Sequence, residues 1–223
     1  MPEREVREEQ ELRALRRQRE RYVVRFNAPF WAWFDATVLL TLAPDAHITD
    51  VGCGPGMYLA DMSTRLPGAR LTGVDANPHM LENARGLAYA GTPPTLHLHD
   101  ATVDLAPLAD ASVDLLTMSA VLHTFEDPWR FLAEAKRVLA PSGRFLLYDW
   151  VRVPMADYIA QRVEEPGEPE PQRYQRALEL FSTHNKYTHA DWDHVLAKGG
   201  FSIVTECLPT PHQRARCLLL RAG

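Results

Sequence analysis

Cysteine is scarce in this chain: three in 223 residues, an odd number with no zinc-like spacing. That argues against a disulfide framework or a structural zinc and for a reducing, cytoplasmic setting. Long apolar runs are also missing. The most apolar early stretch, residues 28 to 43, is short and broken by Asp35, so no membrane span is expected. The first residues are charged throughout, unlike a secretory leader. Positive charge is not in excess. A net charge of −5 gives no global field for nucleic acid, which is not an expected partner. No internal repeat is present. What remains is an ordinary composition, 46% hydrophobic and 24% charged, at a length that suits one α/β domain with additions.

Residues 48–56 read Ile-Thr-Asp-Val-Gly-Cys-Gly-Pro-Gly. A short apolar run ends in Asp50, and Gly52, Gly54 and Gly56 follow. This is the pattern of a buried strand entering a turn whose backbone must bend sharply or approach a ligand. The spacing is G-x-G-x-G. Met57 stands where a dinucleotide loop needs Gly or Ala. A second apolar run ends in Asp75, about 20 residues on, where a βαβ unit delivers a ribose-binding carboxylate. Pro78 suits a first helical turn. His97-Leu-His-Asp100-Ala101 ends a third run, and Ser112 to Ala120 forms a fourth, leading into Val121-Leu-His-Thr-Phe-Glu-Asp-Pro128.

These segments resemble the class I S-adenosylmethionine-dependent methyltransferases. The match rests on the acid before the glycine loop, on Gly73-Val-Asp-Ala-Asn-Pro-His-Met-Leu81, on Asp100, and on Ala120-Val-Leu-His123 followed by Asp127-Pro128. The resemblance covers residues 48–150 well and 186–223 more weakly. It implies S-adenosylmethionine as cofactor, held by Asp50, Gly52, Gly54, Gly56, Asp75, Ala76, Met80, Asp100, Ala101 and Ser119. The glycines would admit the methionine part, Asp75 the ribose, Asp100 and Ala101 the adenine, and Ser119 would close the pocket. Tyr22, Arg25 or Trp31 would cover the amino-acid end. Plainer roles stay open: Asp75 as a strand end or cap, and Asp100 as a turn former.

Alternating strand and helix patterns predict a doubly wound, mostly parallel α/β sheet. Strands are expected near 46–51, 69–74, 95–98, 112–118 and 143–150, and helices near 29–42, 56–66, 78–89, 128–139 and 189–198. A final hairpin is expected at 201–208 and 214–221. With the resemblance, this predicts seven strands with the last antiparallel. A helical N-terminal cap would occupy 1–45 and a Rossmann-like domain 46–223. A substrate-cap insertion is expected at 151–187, after strand five. Its acidic, proline-rich part, 163–171, reads as a loop, either a mobile cap element or an inert linker.

His123 is the candidate general base, because it follows the fourth strand at the carboxyl edge where such sheets bind ligands. A packing role is the plainer reading. His184, His189, Asp191 and His194 cluster in sequence but share no helical face, so no metal site is expected. In the family that the chain resembles, a proline-proline-aromatic signature after the fourth strand serves amino groups of bases; here Pro93-Pro94 precedes the third strand and lacks the aromatic, and Ser119-Ala-Val-Leu follows the fourth, so the resemblance implies no methylation of base nitrogens. The expected function is methyl transfer to a small-molecule acceptor. The alternatives are an RNA or protein methyltransferase, or a non-catalytic cofactor-binding protein. The acceptor atom and the oligomeric state are not legible.

Overall fold

The computed structural model describes residues 15–163, 170–207 and 214–223. Helix α1 covers residues 15–25. Asn27 then caps α2 (Ala28–Thr37), its side chain accepting the N–H of Phe30. Phe30 and Phe34 of α2 are fully buried against the sheet. Burying one such side chain contributes roughly 1.5–3 kcal/mol, so α2 is anchored by its aromatic face.

The core is one seven-stranded sheet: β1 (His47–Val51), β2 (Arg70–Asp75), β3 (Thr95–Leu98), β4 (Val113–Ser119), β5 (Leu139–Trp150), β6 (Phe201–Cys207) and β7 (Ala215–Ala222). Their order is β3-β2-β1-β4-β5-β7-β6, with β7 antiparallel to both neighbours and the β3 to β5 pairings parallel. This is the doubly wound sheet with an antiparallel last strand that the sequence predicts. Strand order reverses between β1 and β4, so a crevice opens beyond their carboxyl ends, where open α/β sheets take ligands.

The helices start where local chemistry places them. In α4 (Pro78–Arg85), Asn77 accepts the N–H groups of His79 and Met80, and Pro78 fills the first position. In α5 (Pro128–Val138), Asp127 and Pro128 do the same. In α8 (His189–Lys198), Thr188 and Asp191 form a reciprocal capping box, which accounts for Asp191. Helix α3 (Met57–Arg65) begins instead at Gly56, with φ +81°, a left-handed start that suits glycine. Two apolar clusters cover the sheet, one centred on α5 and α8, the other on α2 and α3.

Some boundaries differ from expectation. The first apolar helix stops at Thr37, and a separate 3₁₀ turn spans Leu39–Thr41. Helix α4 ends at Arg85 rather than 89, because Gly86 takes the cap position. Strand β5 reaches back to Leu139, through an irregular pairing with β4 between Val113 and Leu115. The segment between β5 and α8, where an insertion was expected, holds α6 (Met155–Val163) and α7 (Glu170–His184), packed on each other through Tyr158, Ile159, Ala177 and Phe181. Val163 and Pro171, expected in a loop, fall in the last turn of α6 and the first turn of α7. Residues 164–169 of that expected loop lie outside the described residues.

Candidate active site

A cavity of about 660 Å³ opens beyond the carboxyl ends of β1, β2 and β4, walled by the glycine turn, α1 and the insertion. Asp50, Gly52, Gly54, Asp75, Ala76, Met80, Asp100, Ala101 and Ser119 all line it. Strand-end geometry brings them together. Asp50 and Asp75 stand at the ends of β1 and β2 and Asp100 two residues after β3, so all three are carried to the same edge of the sheet.

The turn is tied down on one side. Val74 carbonyl accepts the N–H groups of Gly52 and Cys53. The Gly54 N–H donates to Asp75 Oδ2 at 2.8 Å, and the Asn77 N–H to Asp75 Oδ1 at 2.8 Å. Burial raises the Asp75 carboxyl above its usual range, against the pull of those two N–H groups. The three loop glycines all have positive φ but differ in surroundings. A Cβ on Gly52 would meet Val121 at 2.5 Å, and one on Gly56 would meet Ala84 Cβ at 2.8 Å and the Tyr89 hydroxyl at 2.7 Å. A Cβ on Gly54 would meet nothing within 4 Å. Gly54 therefore keeps space open at the cavity. Gly56, expected at the ligand, lies outside the lining and serves packing against α4.

Asp50 is buried and accepts the Thr117 hydroxyl at 2.7 Å. Burial pushes its carboxyl up to about 7; Asp75 adds to the rise, while Thr117 and the Arg25 guanidinium oppose it. Arg25 reaches in from α1, 9% exposed, and donates to the Ser119 hydroxyl (3.1 Å) and carbonyl (3.3 Å). Tyr22, also at the cavity, donates its hydroxyl to Asp61. Trp31, expected alongside them, is not at the cavity. It stacks on Tyr58 at 5.9 Å, with the Arg65 guanidinium 3.8 Å from its ring centroid. Asp100 is exposed at the rim and forms a turn, its Oδ1 accepting the N–H and hydroxyl of Thr102.

His123 is not at the cavity either. It is 1% exposed, in a 3₁₀ turn (Leu122–Thr124) after β4. Its Nδ1 lies 2.6 Å from Asp149 Oδ1 and its Nε2 3.3 Å from His184 Nδ1. His184 faces the cavity in its place.

Sequence reasoning missed several groups here. Asp149 carries the same signal as Asp50 and Asp75, an acid near the end of an apolar strand. Ala120 joins β4 to the 3₁₀ turn at φ +57°, a conformation that costs a non-glycine residue roughly 1–2 kcal/mol and that no local pattern announces. Tyr58 lines the cavity with a buried hydroxyl that has no hydrogen-bond partner among the described residues. His184 has no local signal at all.

A methyltransferase domain model matches residues 49–147. The chain is 32% identical over 133 residues to 27-O-demethylrifamycin SV methyltransferase of Amycolatopsis mediterranei, covering 58% of this chain and 48% of that protein. It is 36% identical over 99 residues to malonyl-[acyl-carrier protein] O-methyltransferase of Hahella chejuensis, covering 44% and 34%. The chain thus spans less than half the length of these curated relatives. Among solved structures, the plantazolicin methyltransferase BpumL, in complex with a triazolic desmethyl analogue and S-adenosylhomocysteine (SAH), superposes with TM-score 0.68 at 18% identity, covering 92% of this chain and 87% of that one. An S-adenosylmethionine-dependent methyltransferase of Mesorhizobium loti superposes with TM-score 0.63 at 22% identity, covering 87% and 98%.

Fold and site together define a Rossmann-like α/β domain of the methyltransferase type. Residues 49–147 match a methyltransferase domain and the sheet has the class I methyltransferase fold; S-adenosylmethionine is the cofactor of that class. The residues present suit this cofactor. Gly54 leaves open space, the Tyr58 hydroxyl has no hydrogen-bond partner among the described residues, and the Asp50 and Asp75 carboxylates line the cavity as acceptors of the kind that ribose hydroxyls and an amino group would need.

Proposed function

We propose that this chain transfers the methyl group of S-adenosylmethionine to a small-molecule acceptor. The observation that carries the reading is the shape of the cavity. It runs from the glycine turn, past Ser119 and Val121, to Trp150 at the end of β5 and to Val153 and Tyr158 in the segment that follows. About 660 Å³ lies within the usual range for small-ligand sites. The named acceptors of curated relatives, among them demethylrifamycin and demethylmenaquinone, fit the same reading.

When bound, S-adenosylmethionine supplies an electrophilic methyl group on a cationic sulfur. The chain's residues do the rest. Asp75 accepts ribose hydroxyls while holding the turn in place. Asp100 and Ala101 face the adenine, with Ala76 and Met80 on the wall beside Asp75. Arg25 meets the carboxylate of the amino-acid end, and Asp50 meets its ammonium group. Ser119, fixed by Arg25, closes this end. Helices α1 and α6 exclude water, and positioning in a dry site supplies much of the rate. A cytoplasmic location belongs to the same reading. It rests on Cys53, Cys207 and Cys217, which are all free, although Cys207 and Cys217 face each other across the final hairpin.

The test uses S-adenosylmethionine with a labelled methyl group and a cell extract divided by size. Label should enter the low-molecular-weight fraction. Label confined to RNA or protein would favour a macromolecular acceptor instead.

A further inference from the structure

We propose that Cys207 and Cys217 are a thiol pair that closes into a reversible disulfide across the final hairpin, with a small-molecule disulfide such as oxidised glutathione as the oxidant. The bond staples β6 to β7. The proposal goes beyond the methyl-transfer reading above and does not rest on it.

Strands β6 and β7 run antiparallel, and Cys207 and Cys217 stand directly opposite each other in their register. Opposed residues of such a pair have Cα atoms about 4.5–5.5 Å apart and side chains on one face. A disulfide joins Cα atoms about 4.4–6.8 Å apart, so the backbone spacing already suits the bond. The packing agrees on the face. Cys217 belongs to the apolar cluster of α2 and α3, and Cys207 packs against that same cluster. Opposed Cβ atoms stand about 4.5–5.5 Å apart, and a disulfide holds them at about 3.5–4.5 Å, so the two must draw together by up to about 1 Å. The geometry allows that movement, because β6 is the edge strand of the sheet and Cys207 is its last residue.

The two thiols differ in access. Cys217 is fully buried, and Cys207 is buried only in part. Cys207 therefore meets the oxidant, and Cys217 completes the bond. The third cysteine cannot replace either. Cys53 follows β1, and β4 and β5 lie between β1 and β7. Three strand spacings make about 14 Å, twice the Cα separation of about 7 Å that a disulfide tolerates. Burial pushes the Cys207 and Cys217 thiols above their ordinary range, and Glu206 adds to the rise in both. The thiolate is the nucleophile in exchange, so the pair reacts slowly and needs the oxidant in excess.

The exchange runs in two steps. The Cys207 thiolate attacks one sulfur of oxidised glutathione. A bond from Cys207 Sγ to glutathione forms, the glutathione S–S bond breaks, and one glutathione thiolate leaves. The Cys217 thiolate then attacks Cys207 Sγ, and the second glutathione thiolate leaves. Two protein thiols are oxidised to one disulfide, one glutathione disulfide is reduced to two thiols, and the two protons released pass to those thiols. Excess reduced glutathione runs the steps backwards. The bond closes the short loop between the two strands and restricts the unfolded chain more than the folded one. The oxidised form is therefore the more stable, and the redox setting adjusts how firmly the edge of the sheet is held.

The experiment treats the folded, full chain with oxidised glutathione in excess, then alkylates it in denaturant and digests it with trypsin. The wild type should yield residues 199–214 linked through a disulfide to residues 217–221, with Cys53 alkylated. This needs no variant. The Tm of the oxidised protein should rise by about 5 °C and fall back on treatment with dithiothreitol. Cys207→Ser should show neither the linked peptides nor the rise. Alkylation of both Cys207 and Cys217 in the treated wild type would overturn the proposal. So would a glutathione adduct that stays on Cys207, a link to Cys53 or to a second chain, or an oxidised form that melts no higher than the reduced one.

Discussion

The carboxylate of Asp75 accepts the backbone N–H of Gly54 at 2.8 Å, so the end of β2 holds the tip of the turn that follows β1. Two segments distant in sequence are thereby fixed in one geometry. The acid expected to meet the ribose also shapes the loop expected to meet the amino-acid end. Its removal should act twice.

Asp75→Ala deletes a charged acceptor and frees the Gly54 N–H. Hydrogen bonds to charged groups contribute roughly 1.5–3 kcal/mol, so affinity for SAH should fall by an order of magnitude or more. Calorimetry on the folded variant checks this. Unchanged affinity would move the ribose site elsewhere.

The glycines should separate stability from binding. Gly54→Ala adds a methyl group into open space at φ +53°. It should cost about 1–2 kcal/mol in stability and also weaken cofactor binding. Gly56→Ala drives its methyl group against Ala84 Cβ at 2.8 Å, and the backbone of α4 lies close behind. It should lose more stability than Gly54→Ala. Denaturant melts of the two variants, read beside their SAH affinities, test the distinction. A Gly54→Ala protein with native affinity would contradict it.

Asp50 gives a proton-linked signature. Its carboxyl titrates at about 7 in the folded chain against an ordinary 3.8. A raised carboxyl holds its proton longer in the folded state than in the unfolded one. Its contribution to stability is therefore complete below about pH 4 and is lost as pH rises to about 7. A cationic ligand end beside Asp50 draws the proton off. Binding S-adenosylmethionine near pH 6 should thus release a proton, seen as a heat that varies with the buffer's ionisation enthalpy. Asp50→Asn should abolish that variation, and a wild-type heat independent of buffer would refute the placement.

Arg25 is a buried cation whose charge has one evident use at the cavity. Arg25→Met keeps much of the bulk and removes the charge. It should weaken S-adenosylmethionine by about tenfold or more and leave 5′-methylthioadenosine, which lacks the amino-acid end, nearly unaffected. Equal losses for the two ligands would assign Arg25 to packing.

Local chemistry was what the sequence made legible. Asp50, Gly54 and Asp75 announce themselves because a strand, a left-handed turn and an acid follow one another within a few residues. The caps at Asn77, Asp127 and Thr188 are equally local. The antiparallel place of β7 came from family resemblance. The contacts of His123 with Asp149 and His184 were illegible because 26 residues separate it from Asp149 and 61 from His184, and only tertiary packing joins them. The burial of His123 was hidden for the same reason: position after a strand gives its edge of the sheet, not its depth. Trp31 misled because an exposed aromatic and a stacking aromatic look alike in sequence. The left-handed Ala120 violates local preference, and such a violation shows only in coordinates.

The central claim is that the cavity at the glycine turn binds S-adenosylmethionine rather than a dinucleotide. Isothermal titration of the purified chain with SAH and, separately, with NAD tests it most directly. SAH should bind with one site per chain, weakened by Asp75→Ala, and NAD should give no binding heat. Binding of NAD with no response to SAH would contradict the account.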